Sequence, residues 1–469
     1  MHPFRPRGSC TPIVVLVAVA TFWVALASTG SQAQTTLAWL DPYRRDASRL
    51  IMVATADDFA WRRLAELTDT YGARLSGSEN LSRAIDWAVE TMARDGLERV
   101  RAEPVMVPRW VRGRESAEIV EPPRHAVAML GLGGSVGTPP GGIEADVLVV
   151  GSFDELSARS AAARGRIVLF DVPFTTYSDT VPYRTGGARV AAQHGAVAVL
   201  VRAVGPMGLR TPHTGSVQYV PGQPAIPAAV VAAEDAGRIA RLTARGLRVR
   251  LRLTMDARDE GLVESANVIG EIRGRERPDE IVLVGCHLDS WDVGTGASDD
   301  GVGCIVTWEG LRLMRALGIR PRRTVRLVLW TNEENGFGGA NAYAAKYAAG
   351  PERHVFALES DSGVFSPASL GFSGSTAARA LVAQATTLLA PLGISGVGPS
   401  GGGADIAPIA EAVGMPTMAY LGDASTYFMI HHTAADTVER IPPEDVSKAV
   451  AAVAVMTYVM AEMPQPLPR

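Results

Sequence analysis

The sequence predicts an α/β protein: a doubly wound, mixed sheet interrupted by an inserted, mostly β module. Three observations carry this. From Asn267 onward, short apolar runs alternate with stretches of helical period, the pattern of strands and helices layered in one sheet. The apolar run Val282-Leu283-Val284-Gly285-Cys286 ends in His287-Leu288-Asp289, and further acids follow each later strand-like run. Between about 121 and 255 the pattern changes to brief β-like runs broken by Gly and Pro.

At 469 residues the chain exceeds one ordinary domain. Its divisions fall at 1–33, 34–120, 121–255 and 256–469. Composition is that of a soluble globular protein, 47% apolar and 20% charged. A net charge of −4 argues against a nucleic-acid partner, which calls for a basic patch. Residues 1–33 have the form of a secretory signal: Arg5 and Arg7, an apolar run from Pro12 to Ala27, then Ser31-Gln32-Ala33 as a small-residue cleavage site. The apolar run is about 15 residues, short of the roughly 20 that span a bilayer. Export to the periplasm or exterior is therefore expected, with no membrane attachment after cleavage. Cys10 leaves with the signal, and Cys286 and Cys304 read as buried thiols, their pairing open.

Taken in order, apolar positions recur at helical spacing over Asp57–Asp69 and Asn80–Asp95. Leu81, Ile85, Val89 and Met92 mark one face of the second helix. Ser78 or Asn80 can cap its start and Gly96 can stop it. The polar loop between these helices, residues 71–78, reads as a connector. In the module at 121–255, strand-like runs fall at Asp146–Val150, Arg166–Phe170, Ala196–Val201, Ala228–Val231 and Leu247–Leu253, with helical patterns at Gly187–His194 and Ala233–Ala244. His194 and His213 stand alone there and read as structural. Beyond Asn267 the expected order is strand Ile281–Gly285, helix 301–317, strand Thr324–Trp330, helix Gly338–Tyr347, strand Val355–Leu358, helix 375–390, strand Thr417–Tyr420 and a long helix from about Pro443 to Met460.

Open α/β sheets bind ligands at the carboxyl ends of their strands. His287 and Asp289 follow the first strand, Glu333-Glu334 the second and Asp361 the third. One sheet edge thus collects a His and several carboxylates, without a Lys or Arg in the motifs. Buried like charges are costly unless paired or metal-bound, and a mixed His and carboxylate set suits Zn²⁺, with Mn²⁺ or Co²⁺ as substitutes. Asp299, in the turn Ser298-Asp299-Asp300-Gly301, is placed to bridge two ions. The second histidine is expected from His431-His432-Thr433. Each piece has a plain structural reading: acids favour a helix start, and paired histidines suit a surface loop. Their joint occurrence at strand ends is what argues for a metal centre.

The set His287-x-Asp289, Gly296-Ala-x-Asp299-Asp300-Gly, Asn332-Glu333-Glu334, Glu359-Ser-Asp361 and His432-Thr-x-x-Asp436-Thr437 resembles the co-catalytic zinc exopeptidases. These comprise the bacterial leucyl aminopeptidases and the glutamate carboxypeptidases. The string His287-Leu-Asp-Ser-Trp-Asp-Val-Gly294 most resembles the carboxypeptidase Q branch. The resemblance spans about residues 55–465, and the module at 121–255 is similar in position and strand pattern to a protease-associated domain.

What the resemblance implies is specific. His287 and Asp361 would bind one zinc, Glu334 and His432 a second, with Asp299 bridging and a cis peptide at Asp299–Asp300. Glu333 would take a proton from a metal-bridging water and later deliver it to the leaving amine. Asp289 would orient His287 through a hydrogen bond, and Asp436 would hold its loop in place. The glycine-rich loop Ser400–Asp405 would lie near the substrate's terminal group. The implied activity is hydrolysis of short peptides, as a dipeptidase or carboxypeptidase. An aminopeptidase with the same metal core is the alternative, and a metal-free binding ectodomain a second one. A homodimer is implied by the resemblance alone.

Overall fold

The computed structural model describes residues 37–469, and the segment 1–33, read as an export signal, lies outside them. The chain divides into two compact units, 1–45 and 46–469. Of the first, a 3₁₀ turn, Ala38–Leu40, and the start of helix Asp41–Ala54 are described. The second unit opens with helices Phe59–Tyr71 and Glu79–Arg94. Of the two expected caps, Ser78 serves the latter, accepting a hydrogen bond from Leu81 N at 3.2 Å, and Gly96 follows its end at φ +81°.

After β1 (Glu98–Val111) the chain builds a second sheet from β2 (Glu115–Glu121), β3 (His125–Val127), β4 (Met129–Gly131), β5 (Ile143–Val150), β6 (Ile167–Phe170), β7 (Ala198–Arg202), β8 (Ala228–Val231) and β9 (Arg250–Met255). Their order is β3-β2-β9-β5-β6-β7-β8-β4. Every residue of β6 and β8 is buried, because helices cover both faces. Helix Tyr177–Gln193 packs Ala188 and Ala191 with Phe170 and Val199 on one face. Helix Ala233–Ala244 packs Ala236, Ile239 and Leu242 with Leu169 and Leu200 on the other. The sequence located β5 to β9 but not β2, β3 or β4, and made the region more purely β than it is.

The chain returns through β10 (Arg258–Ile272), β11 (Arg277–His287), β12 (Arg323–Trp330), β13 (Arg353–Ser360), β14 (Ser369–Ser373) and β15 (Thr417–Leu421). The first sheet has the order β1-β10-β12-β11-β13-β15-β14. Its centre is parallel, with β11 between β12 and β13. Both margins are antiparallel, which makes the sheet mixed as expected. All of β12 is buried, including two arginines that survive burial by pairing. Arg323 meets Glu280 at 2.7 Å, and Arg326 meets Glu271 at 2.8 Å and Glu352 at 2.7 Å.

Six strands were not expected from the sequence: β1, β2, β3, β4, β10 and β14. In β1, Pro104 and Pro108 suit only an edge, and β1 is the edge. The first part of β10 is exposed and charged, and β14 is a five-residue margin. A further correction concerns the cysteines: Cys286 at the end of β11 and Cys304 in helix Val302–Ala316 form a disulfide rather than two buried thiols. Their Cα atoms lie 5.0 Å apart, a separation a disulfide bridges without distortion. Among the described residues no helix is long and apolar enough to cross a membrane.

Candidate metal centre

The carboxyl ends of β11, β12 and β13 form one edge, where side chains from five loops converge. His287 is the last residue of β11. Glu333 and Glu334 follow β12 in a turn, and Asp361 follows β13. Asp299 lies in the turn Ala297–Gly301 that leads into helix Val302–Ala316, and His431-His432 follow helix Ala424–Ile430. Asp299 sits at the middle. Its Oδ1 is 3.2 Å from His287 Nε2, and its Oδ2 is 3.1 Å from His432 Nε2. His287 Nε2 also meets Asp361 Oδ1 at 3.5 Å, and His432 Nε2 meets Glu334 Oε2 at 3.1 Å. All five predicted ligands are therefore together. His431 stacks on His432 with ring centroids 3.6 Å apart, yet its Nε2 meets only Asp299, at 3.4 Å. The Asp299–Asp300 peptide is cis.

Several atoms here are buried and lack hydrogen-bond partners: His287 Nε2, Asp299 Oδ2 and Glu334 Oε1. Orphaned polar atoms inside a protein are costly, and a divalent cation would satisfy these three at once. The titration shifts express the same crowding. Burial alone would lower the His287 and His432 pKa values, but the facing acids outweigh it and raise both well above the usual imidazole range. For Asp299, burial raises while the facing imidazoles of His287 and His432 pull the carboxyl well below its usual range. Burial and the neighbouring Asp299 push Glu334 up to about 7. Glu333 is raised well above the carboxylate range by burial, opposed by His287 and reinforced by Asp361, Glu334 and Asp299.

A second set of side chains holds these in place. The role expected for Asp289 needs correction. His287 Nδ1 meets the Asp289 carbonyl at 2.9 Å, while the nearer carboxylate oxygen is 3.9 Å away. The carboxylate instead accepts from Ser76 Oγ at 3.0 Å and from the backbone N–H groups of Glu333 and Glu334 at 3.1 and 3.4 Å. It fixes the Glu333-Glu334 turn rather than the imidazole. Asp436 accepts from Ser298 N at 2.6 Å and Asp299 N at 3.1 Å, which anchors the central turn. Arg74 is fully buried and donates to the carbonyls of Gly72, Leu288, Thr295 and Gly296. The loop 71–78, expected to be a connector, thus ties the site's loops together. No periodicity or motif in the sequence marks Arg74 or Ser76.

A cleft of about 380 Å³ opens over Asp299, Glu333, Glu334, Asp361 and His432. Tyr427 and Phe428 line it from the first sheet's side, and Tyr177, Arg184 and Gln218 from the second's. Tyr177 and Phe428 stack at 5.4 Å, giving the cleft an aromatic wall. The loop Ser400–Asp405 does not line this cleft. Ser400 to Gly403 line a separate 660 Å³ cavity with β14 residues. Asp405 lies buried beside Glu359, whose carboxyl accepts from Ile406 N at 2.8 Å and is pushed to about 8 by burial and Asp361.

The model for peptidase family M28 matches residues 267–457, the stretch that carries the convergent acids and histidines. Carboxypeptidase Q of Homo sapiens is 46% identical over 420 residues, 90% of this chain and 89% of that one. The crystal structure of a peptidase M28 precursor from Shewanella amazonensis superposes with a TM-score of 0.87 at 35% identity, covering 92% of this chain and 99% of that one. A zinc aminopeptidase from Bacillus subtilis shares the fold, with a TM-score of 0.66 at 20% identity over 87% of this chain and 96% of its own.

Proposed function

The chain belongs to peptidase family M28, and on that premise we propose that it is an exported, dizinc exopeptidase that cleaves short peptides as a dipeptidase or carboxypeptidase. The observation that carries the reading is Asp299, whose Oδ1 faces His287 and whose Oδ2 faces His432, at 3.2 and 3.1 Å. His287 and Asp361 would hold one zinc, His432 and Glu334 the other, and Asp299 both. The donor set fits: nitrogen and carboxylate oxygen suit Zn²⁺, and three of its residues, His287, Asp299 and Glu334, carry a buried atom without a hydrogen-bond partner. When bound, zinc supplies Lewis acidity toward the scissile carbonyl and makes water more acidic.

The chain's own residues do the rest. Glu333 lines the cleft, with its backbone fixed by Asp289. Its carboxylate takes the proton of the attacking water and returns it to the leaving amine nitrogen, so one group serves as base and then acid. The aromatic wall of Tyr177 and Phe428 excludes water from one side of the peptide. Export is supported by the sequence of residues 1–33 and by the Cys286–Cys304 disulfide, which suits an oxidising compartment.

The test compares a free dipeptide with its N-acetylated and C-amidated forms. Carboxypeptidase action tolerates the acetyl group and fails on the amide. The opposite outcome assigns aminopeptidase action instead.

A further inference from the structure

The two histidines at the centre are oriented by different parts of the chain. His287 has its Nδ1 satisfied two residues away, by the Asp289 carbonyl. His432 is held from the second sheet. Thr214 N donates to His432 O at 2.9 Å, and the Thr214 carbonyl faces His432 Nδ1 at 3.2 Å. One residue back, His213 Nδ1 meets the His431 carbonyl at 2.8 Å. The Thr214 carbonyl also accepts from Arg184 Nη1 at 3.1 Å, while Arg184 Nη2 donates to Tyr177 Oη at 2.6 Å. Thr214 Oγ1 donates to the Gly131 carbonyl in β4 at 2.9 Å.

This stretch has little freedom. His213, Thr214 and Arg184 are 1%, 0% and 4% exposed. A Cβ on Gly205 would lie 2.3 Å from the His213 ring, and one on Gly215 would lie 2.3 Å from the Arg184 guanidinium carbon. His432 itself needs restraint, because its φ of +60° is left-handed, a conformation costly for a residue with a Cβ. Main-chain bonding on its carbonyl holds that conformation. The Thr214 carbonyl and Arg184 Nη1, at 3.2 and 3.3 Å, both face His432 Nδ1 and so fix where the ring points. Its Nε2 points at Asp299 and Glu334, each 3.1 Å away.

We propose that His213 and Thr214, backed by Arg184, form a positioning clamp through which the second sheet sets the orientation of His432. The metal affinity of the Asp299–Glu334–His432 half then depends on the second sheet, and that of the His287–Asp361 half does not. The inference rests on the ligand assignment proposed above.

The test is zinc binding to the full chain, by competition with a chromophoric chelator and by metal quantitation, in wild type and in Arg184→Met, His213→Ala and His213→Asn. Asparagine retains an amide donor for the His431 carbonyl and serves as the rescue. Wild type should bind two equivalents. Arg184→Met and His213→Ala should bind one equivalent on the order of 10–100-fold more weakly and the other within about twofold of wild type, with an unchanged circular dichroism spectrum. His213→Asn should recover most of the loss. Unchanged affinity for both equivalents overturns the clamp, as does parallel weakening of both, which general structural damage would give. Fewer than two equivalents in wild type overturns the ligand assignment itself, and is read before any variant is made.

Discussion

Replacing Arg74 with Met should loosen the whole centre, and its size can be worked from contacts. The guanidinium is fully buried and makes four hydrogen bonds to carbonyls, at 2.7 to 2.9 Å, joining loop 71–78 to Leu288, Thr295 and Gly296. Bonds involving a charged group contribute about 1.5–3 kcal/mol each, so four amount to roughly 6 kcal/mol or more. Relief from burying a cation, whose pKa burial lowers to about 10 despite Asp436 and Asp289, offsets about half of that, as for other buried charges. The net loss is about 3–4 kcal/mol. With an unfolding entropy of about 2.1 cal/mol/K per residue, a chain of this length shifts its Tm by about 1 °C per kcal/mol. Scanning calorimetry of the zinc-loaded protein should therefore place Arg74→Met about 3–4 °C below wild type. Arg74→Lys should fall between them, because a single ammonium cannot reach four carbonyls on two sides. A Tm within 1 °C of wild type for Arg74→Met would refute the reasoning.

Glu333→Gln should bind zinc as wild type does and lose nearly all turnover, since an amide cannot carry the proton from water to amine. Near-normal dipeptide hydrolysis by this variant would remove Glu333 from the mechanism. Stripping the metal should make stability fall as pH rises. Glu334, raised from 4.5 to about 7, and His287 and His432, raised above 6.5, all bind protons more tightly folded than unfolded. Their contribution is present at low pH and lost as pH climbs through the folded values. Between pH 6.5 and 8 the Tm of the metal-free chain should drop, and saturating Zn²⁺ should cancel the trend. A flat or rising profile without metal would contradict these assignments.

What the sequence disclosed and what it hid divide along a physical line. Strands β11 and β12 were legible because their later parts, 281–286 and 327–330, are buried and wholly apolar, and each run ends abruptly in chemistry-bearing side chains. The motif residues His287, Glu334 and Asp361 were legible because each follows a buried strand, whereas Asp299, in a turn before a helix, and His432, after one, were legible through their motifs. Edges were not: β1 carries prolines and β10 begins charged, so neither shows an unbroken apolar pattern. Nor were long-range ties. Arg74 acts across more than 210 positions of sequence, and His213 meets His431 across 218. An isolated His or Arg in a polar stretch carries no local sign of what it will meet. The resemblance assigned the Asp289 carboxylate to His287, whereas in the fold it faces the next loop and accepts from Glu333 N.

The assignment of these ligands rests on more than orphaned atoms. Asp405 has both carboxyl oxygens unpartnered and Asp300 has one, and both carboxyls are raised well above the usual range by burial and neighbouring acids. Those groups can meet their burial by holding a proton. The assigned acids differ in what faces them. Asp299, Glu334 and Asp361 each lie within 3.5 Å of an imidazole Nε2, whereas among the described residues neither Asp300 nor Asp405 makes such a pair. An imidazole Nε2 meets such an acid in one of two ways: by holding a proton, which the raised His287 and His432 values describe for the metal-free chain, or by giving its lone pair to a cation between them. His287 and His432 face opposite oxygens of Asp299, so a cation in place of each proton makes two ions, and this is the physical basis of the proposed dizinc centre.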